Sequence, residues 1–359
     1  MHSETLLLRA DADAQIGVGH VMRCLALAQA WQSAGHRAIF AVGKCPATLC
    51  ERLLREGCAV KSVKAARGSS ADGSETIAIA ERLGSRNLVL DGDAFDEKYQ
   101  KQIKQAGLRL LLLEDYIGAG YYSADWIWNA DLPSGEEAYP RRGPGTRLLL
   151  GPRYALLRRE FLTARPRERS ALAAPAPAKV LITFGGSDPQ NATLEALRGL
   201  AMLKDSGVQA RVLVGGANPR LDLLQAAARE LAGNVEVLSD VQDMPAQMLW
   251  ADIAVVASGV TVWELLYMGV AVIAWPRYPA DLPSLELLAK GGAVTVLEAD
   301  ANAGNIANAL RTLLLDGQRI RRMSDAGQKL VDGRGAERVA RLLADALQDL
   351  HSSSEVSAR

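Results

Sequence analysis

Short apolar runs alternate with helical stretches along almost the whole chain, and this alternation is what most constrains its fold. In the first half the runs are TLLLRA (5–10), RAIFAV (37–42), AVKSV (59–63), NLVLD (87–91) and RLLLLED (109–115), with helical patterns such as 20–34 and 96–106 between them. Strands spaced by helices build a parallel sheet covered on both faces. The alternation breaks at RPRERSALAAPAPA (165–178), where Pro and Ala dominate, and then restarts. AKVLITFGG, QARVLVGG, NVEVLS, ADIAVVAS, VAVIAW and AVTVL supply a second set of strands. A length of 359 residues also exceeds one ordinary core. The expectation is therefore an α/β chain of two Rossmann-like, doubly wound domains at 1–164 and 179–348, joined by a linker at 165–178. The last helical region is placed to pack back across the first domain, and the polar tail 349–359 reads as disordered.

Charge and cysteine usage narrow the function classes. Forty-one basic residues balance forty-one acidic ones, so there is no basic footprint for nucleic acid. Cys24, Cys45, Cys50 and Cys58 match neither a C-x-x-C pair nor a zinc framework, and read as free thiols. The N-terminal LLL is too short for a signal peptide. Residues 253–276 carry one charge, Glu264, over a membrane-spanning length. A mid-membrane acid and the breaks at Ser258-Gly259 and Gly269 instead favour strand, turn, helix and strand. A cytoplasmic monomer without membrane insertion is expected.

The most specific local feature is IGVGHVMRC (16–24). Gly17 and Gly19 follow a strand as in a dinucleotide loop, but Met22 occupies the place of the third glycine. Ile39, Phe40 and Val42 also leave no ribose-binding acid at the end of the second strand, which argues against an NAD enzyme. His20 opens a helix here, and a neutral imidazole in a cleft is a competent general base. The competing view is a histidine that merely packs in the first helical turn. Arg9, Asp11 and Arg23 are placed to line the same pocket, with ordinary ion pairing as the plainer account. DGD (91–93) and LEDY (113–116) end two strands; Asp91, Asp93 and Asp115 read as polar substrate contacts rather than metal ligands.

Two strand-end loops in the second half suit an anion. Gly185, Gly186 and Ser187 expose backbone N–H groups, while Asp188-Pro189 reads equally as a helix N-cap and first residue. Ser258 and Gly259 form the other loop. Thr261-x-x-Glu264 is on its face a capping box, and a ribose-binding carboxylate is the rival account of Glu264.

Together, LRADADAQIGVGHVMRCLALA, GPRYALLRREF (151–161) and ITFGGSDPQNATL (182–194) resemble the nucleotide-sugar hydrolases of the pseudaminic acid pathway, which are relatives of the lipid II-forming N-acetylglucosaminyltransferase. The resemblance covers about residues 5–300. It implies a GT-B architecture, with two Rossmann-like domains facing an interdomain cleft. It also implies UDP held by the C-terminal domain and His20 as the base that activates water, with no metal or cofactor. Glu264 would bind the ribose, Ser258 and Gly259 would lie near the diphosphate, and backbone groups near Val241 would read the uracil. Tyr154 and Arg158 join the substrate-binding set on the second motif. Asp93 and Trp263 depart from the family pattern, where tyrosine and asparagine are common, and leave the sugar open. Two alternatives stand beside the hydrolase: a UDP-sugar-dependent GT-B glycosyltransferase, and a non-catalytic nucleotide-sugar binding module.

Overall fold

The computed structural model describes the chain except residues 1–2, 14, 119, 132–135, 165, 167–177, 187, 204–205, 217, 232–233 and 357–359, and the side chains of 347–356. The expected linker lies almost wholly outside the described residues. The chain divides into two units, Met1–Arg159 with Gly333–Arg359, and Glu160–Asp332.

The first unit alternates β1 (Thr5–Ala10), α1 (Gly19–Ser33), β2 (Arg37–Val42), α2 (Ala47–Arg55), β3 (Ala59–Ser62), α3 (Ser70–Leu83), β4 (Asn87–Asp91), α4 (Glu97–Gln105), β5 (Arg109–Leu113), β6 (Trp126–Asn129) and β7 (Arg147–Leu150). All seven strands are parallel, in the order β3-β2-β1-β4-β5-β6-β7. Helices cover both faces, so β1 is buried along its whole length, which is why it reads as a continuous apolar run. Five of these strands were legible in the sequence. WIWN and RLLL were not, because no described α-helix separates β5 from β6 or β6 from β7, so the strand–helix alternation does not mark them.

Helix α5 (Arg159–Ala164) leads into the second unit. There β8 (Lys179–Thr183), α6 (Ala192–Ala201), β9 (Gln209–Val214), α7 (Leu221–Arg229), β10 (Val235–Ser239), α8 (Met244–Trp250), β11 (Ile253–Ala257), α9 (Val260–Tyr267), β12 (Ala271–Trp275), α10 (Leu282–Lys290), β13 (Val294–Val296), α11 (Ala303–Leu314) and α12 (Gly317–Leu330) follow. The sheet order is β10-β9-β8-β11-β12-β13, again parallel. The apolar segment 253–276 folds as β11, α9 and β12, with Gly269 at φ 71° closing the helix before the second strand. Among the described residues no helix is long and apolar enough to cross a membrane.

Helix α13 (Gly335–Val356) packs against α1 in the first unit, so residues 333–348 sit there rather than with the second sheet. Its first residue must be small. A Cβ on Gly335 would stand 2.2 Å from the Ala155 carbonyl oxygen, and Arg338 Nη1 donates 2.8 Å to the Arg153 carbonyl. Part of the PRYALLRREF motif is thus a seat for this helix. Helix α13 extends through Val356, into the segment 349–359 that the sequence reads as a polar tail.

Candidate active site

In the first unit the sheet runs outward in opposite directions from the β1/β4 pair, with Ala10 opposite Asp91 at their carboxyl ends. The loops leaving such a pair diverge and open a crevice, the usual ligand position in parallel sheets. After β1, Asp13 Oδ1 accepts from the amides of Gln15 (2.9 Å) and Ile16 (2.7 Å), and Gly17 turns through φ 79°. That turn delivers Gly19 and His20 as the first two residues of α1.

His20 meets Asp91 there. Nδ1 lies 2.6 Å from Asp91 Oδ1, and the imidazole is partly exposed while the carboxylate is fully buried. Arg23 Nη2 is also 3.2 Å from Nδ1. A contact of 2.6 Å to a carboxylate requires the proton on Nδ1, so the ring donates to Asp91 and leaves the Nε2 lone pair available.

Arg23 locks the acid in place. Its Nε and Nη2 donate to Asp91 Oδ2 and Oδ1 at 2.7 and 2.6 Å, and its Nη1 and Nη2 reach the Asp115 carboxylate. The guanidinium lies 5.2 Å from the centre of the Trp128 ring, a cation–π distance. Burial alone would raise the Asp91 carboxyl, but the Arg23 charge and the hydrogen bonds from Arg23 and His20 outweigh it and hold Asp91 well below the usual range. Cys24 Sγ, 3.4 Å from Asp91 Oδ2, is pushed up by burial and by that carboxylate, so it is an inert thiol. Glu114 behaves oppositely. Burial, with the Asp115 charge next, pushes it up to about 8, and Tyr122 hydrogen-bonds to it.

The structure therefore joins His20, Arg23, Asp91 and Asp115; Asp91 is 1% exposed, with Oδ1 on His20 and Oδ2 on Arg23. Arg9 and Asp11 fall outside this group. Arg9 is fully buried and grips Asp72 through Nε and Nη2, both at 2.9 Å, and Asp11 through Nη1 at 2.8 Å. Asp11 Oδ1 accepts from the amides of Gly43 (2.6 Å) and Lys44 (2.9 Å), while Tyr99 and Thr76 hydroxyls bind Asp72. This buried ion network ties β1 to α3 and the β2–α2 loop, and is not a surface pair. Asp93 is held by Arg67 Nη2 at 2.6 Å with 89% of its side chain exposed. Tyr154 is half-buried, its carbonyl accepting from Trp128 Nε1 at 2.7 Å, and Arg158 is buried.

In the second unit the divergence point is between β8 and β11. Asp188 sits in the left-handed region (φ 42°) and its two oxygens accept from the amides of Ala192 and Thr193, both at 2.9 Å. It caps α6 from upstream, so the helix begins three residues later than the Asp-Pro pair suggests, with a carboxylate already on its N-terminus. Gly185 (φ 84°) and Gly186 carry no neighbour that a side chain would strike; Ser187 is outside the described residues. The capping box at Thr261 does not form: Gly259 is the N-cap of α9, without a side-chain cap, and Thr261 lies inside the helix. Glu264 is buried in that helix. The Ser258 hydroxyl is bound to the Asp281 carboxylate. Val241 is half-buried in the loop between β10 and α8. Among the described residues no group of three or more His, Cys, Asp or Glu could hold a metal ion.

Acinetobacter baumannii MurG has a crystal structure similar to this chain, with TM-score 0.68 at 18% identity, covering 96% of this chain and 100% of that one. The fold is GT-B. A second GT-B relative in structure, Anabaena Alr3699/HepE in complex with UDP and glucose, has TM-score 0.64 at 15% identity, covering 97% and 100%. Residues 178–316, within the second unit of this GT-B chain, match the family model described as glycosyl transferases group 1. By sequence, the chain is 23% identical over 267 residues to the uncharacterized protein MJ1062 of Methanocaldococcus jannaschii, covering 73% of this chain and 54% of that one. It is 26% identical over 254 residues to the spore coat polysaccharide biosynthesis protein SpsG of Bacillus subtilis (68% and 72%). The UDP-N-acetylglucosamine–N-acetylmuramyl-(pentapeptide) pyrophosphoryl-undecaprenol N-acetylglucosamine transferase of Haemophilus ducreyi is 28% identical over 178 residues (48% and 49%). The chain thus spans about half the length of the first and third of these relatives.

Proposed function

We propose that this protein is a UDP-sugar-dependent enzyme that breaks the bond between the anomeric carbon and the nucleotide and passes the sugar to an acceptor hydroxyl. The observation that carries the reading is the His20–Asp91 pair at the carboxyl ends of β1 and β4 in a GT-B chain. His20 Nε2 takes the acceptor proton as the acceptor oxygen bonds to the anomeric carbon, and the glycosyl C–O bond breaks with its electron pair leaving on UDP. Asp91 stabilises the imidazolium so formed. The second unit supplies the nucleotide site: backbone at Gly185, Gly186 and Gly259 toward the diphosphate, Glu264 toward the ribose, and backbone near Val241 toward the base. The UDP-N-acetylglucosamine in the name of the Haemophilus transferase, and the UDP in the HepE complex, support UDP as the carrier. Gly17 and Gly19 permit close approach of the sugar, with Asp93, Asp115, Tyr154 and Arg158 as its polar contacts.

Water in place of the acceptor is the second reading, favoured by the resemblance of the histidine loop and of PRYALLRREF to the pseudaminic-acid-pathway hydrolases. Incubation with UDP-linked N-acetylated and 2,4-diacetamido sugars, with and without alcohol acceptors, separates the two. Transfer requires the acceptor for turnover; hydrolysis yields UDP and free sugar in equal amounts without it.

A further inference from the structure

The loop after β12 presents a cation that the nucleotide residues named so far leave out. Arg277 has its backbone pinned from two sides. Its amide donates to Asp281 Oδ2 at 2.9 Å and Ser258 Oγ at 3.1 Å, and its carbonyl accepts from Gln190 Nε2 at 2.7 Å. Its guanidinium, by contrast, makes no hydrogen bond or ion pair among the described residues; its nearest ring is Tyr278 at 6.0 Å. The fork lies over the start of α9. A Cβ on Gly259 would be 3.2 Å from Arg277 Nη2, and Gly259 adopts φ 126°, a conformation that side chains rarely take. Beside it opens a cavity of about 300 Å³ at the β8/β11 divergence point, whose lining includes Phe184, Ala257, Trp275, Arg277, Tyr278 and Asp188, the last with both carboxylate oxygens engaged by the amides of Ala192 and Thr193.

A fixed backbone carrying an unpaired planar fork next to an uncapped helix start and an aromatic-walled cavity matches the chemistry of a nucleoside diphosphate. Arginine binds phosphate oxygens bidentately, and pre-positioning lowers the ordering cost of each bond. The bond between Ser258 and Asp281 also changes the role of that serine. Its hydroxyl is committed to holding the loop, so it positions Arg277 rather than meeting phosphate itself.

We propose that Arg277 is the diphosphate-binding residue of the second unit, with Ser258 and Asp281 as its positioning residues. This rests on the nucleotide reading above. The test is calorimetric titration of the full chain with uridine, UMP, UDP and inorganic pyrophosphate, for wild type and for Arg277→Ala and Arg277→Lys. Wild type should gain affinity from uridine to UMP to UDP. Arg277→Ala should bind UDP about 10-fold or more weakly with uridine unchanged, and Arg277→Lys should recover part of the loss. Pyrophosphate binding that equals UDP binding would point to a free-anion site and overturn the nucleoside part of the proposal. UDP affinity in Arg277→Ala within twofold of wild type, or an equal loss for uridine and UDP, overturns the assignment while the nucleotide reading stands. Wild type that binds neither uridine nor UDP overturns both.

Discussion

His20 Nδ1, in the first turn of α1, and Asp91 Oδ1, at the end of β4, are 2.6 Å apart though 71 residues apart in sequence. In the proposed reaction this is the orienting half of an acid–base pair, because a carboxylate on Nδ1 fixes which ring nitrogen is free and steadies the charge the ring gains. Arg23 completes it by holding the carboxylate ionised and rotationally fixed.

Asp91→Asn should therefore reduce turnover by about 10²–10⁴-fold while leaving the affinity for UDP unchanged. It should also lower stability, by up to about 3–5 kcal/mol, since it takes a partner from the buried Arg23. Paired kinetics and thermal melts check this; turnover within a few-fold of wild type would show that Asp91 does not orient the base.

The Arg9–Asp72 network predicts the opposite profile. Asp72→Asn breaks a fully buried bidentate pair and should cost about 3–5 kcal/mol in chemical denaturation. At a temperature where the variant remains folded, its UDP affinity and turnover should match wild type. A selective loss of turnover would place this network in the site after all.

Glu114 makes a pH-dependent prediction. Its carboxyl, ordinarily near 4.5, is pushed up to about 8, first by burial and then by Asp115. Between those pH values the unfolded chain has lost a proton that the folded chain keeps, so this group makes stability fall as pH rises through that window. Glu114→Gln removes the proton linkage. Relative to wild type it should gain at least ~1 kcal/mol between pH 5 and pH 8.5. A difference between the two proteins that stays constant over that range would contradict the assignment.

Helix α13 can be probed at its seat. Gly335→Val places side-chain atoms against the Ala155 carbonyl, where the Cβ alone would stand 2.2 Å away, and should destabilise the first unit by about 1–3 kcal/mol. Amide exchange should rise in α1, on which α13 packs, and not in β8–β12. Uniform exchange changes across both units would argue against that local seat.

How far the sequence reveals this molecule depends on the range of the interaction. The strand–helix alternation is local, so eleven strands and the punctuated segment 253–276 are legible, while β6 and β7, which no described α-helix separates from each other or from β5, are not. His20 is legible because two glycines and a helix start surround it. Its link to Asp91, and that of Arg9 to Asp72 63 residues away, depend on sheet order, which no local pattern carries. Capping signals mislead for a different reason. Left-handed turns at Asp188 (φ 42°) and Asn191 (φ 57°) delay α6, and Gly259 starts α9 before Thr261 can cap it. Arg277 gives no sequence signal at all, because what distinguishes it is a pinned backbone and an unpaired side chain.

The most direct test follows UDP release from a panel of UDP-linked N-acetylated sugars, with acceptors present and absent, for wild type and His20→Ala, alongside UDP affinity for both. Wild type should release UDP, and His20→Ala should be slower by about 10²–10⁴-fold with its UDP affinity unchanged. Turnover by His20→Ala close to that of wild type would contradict the account.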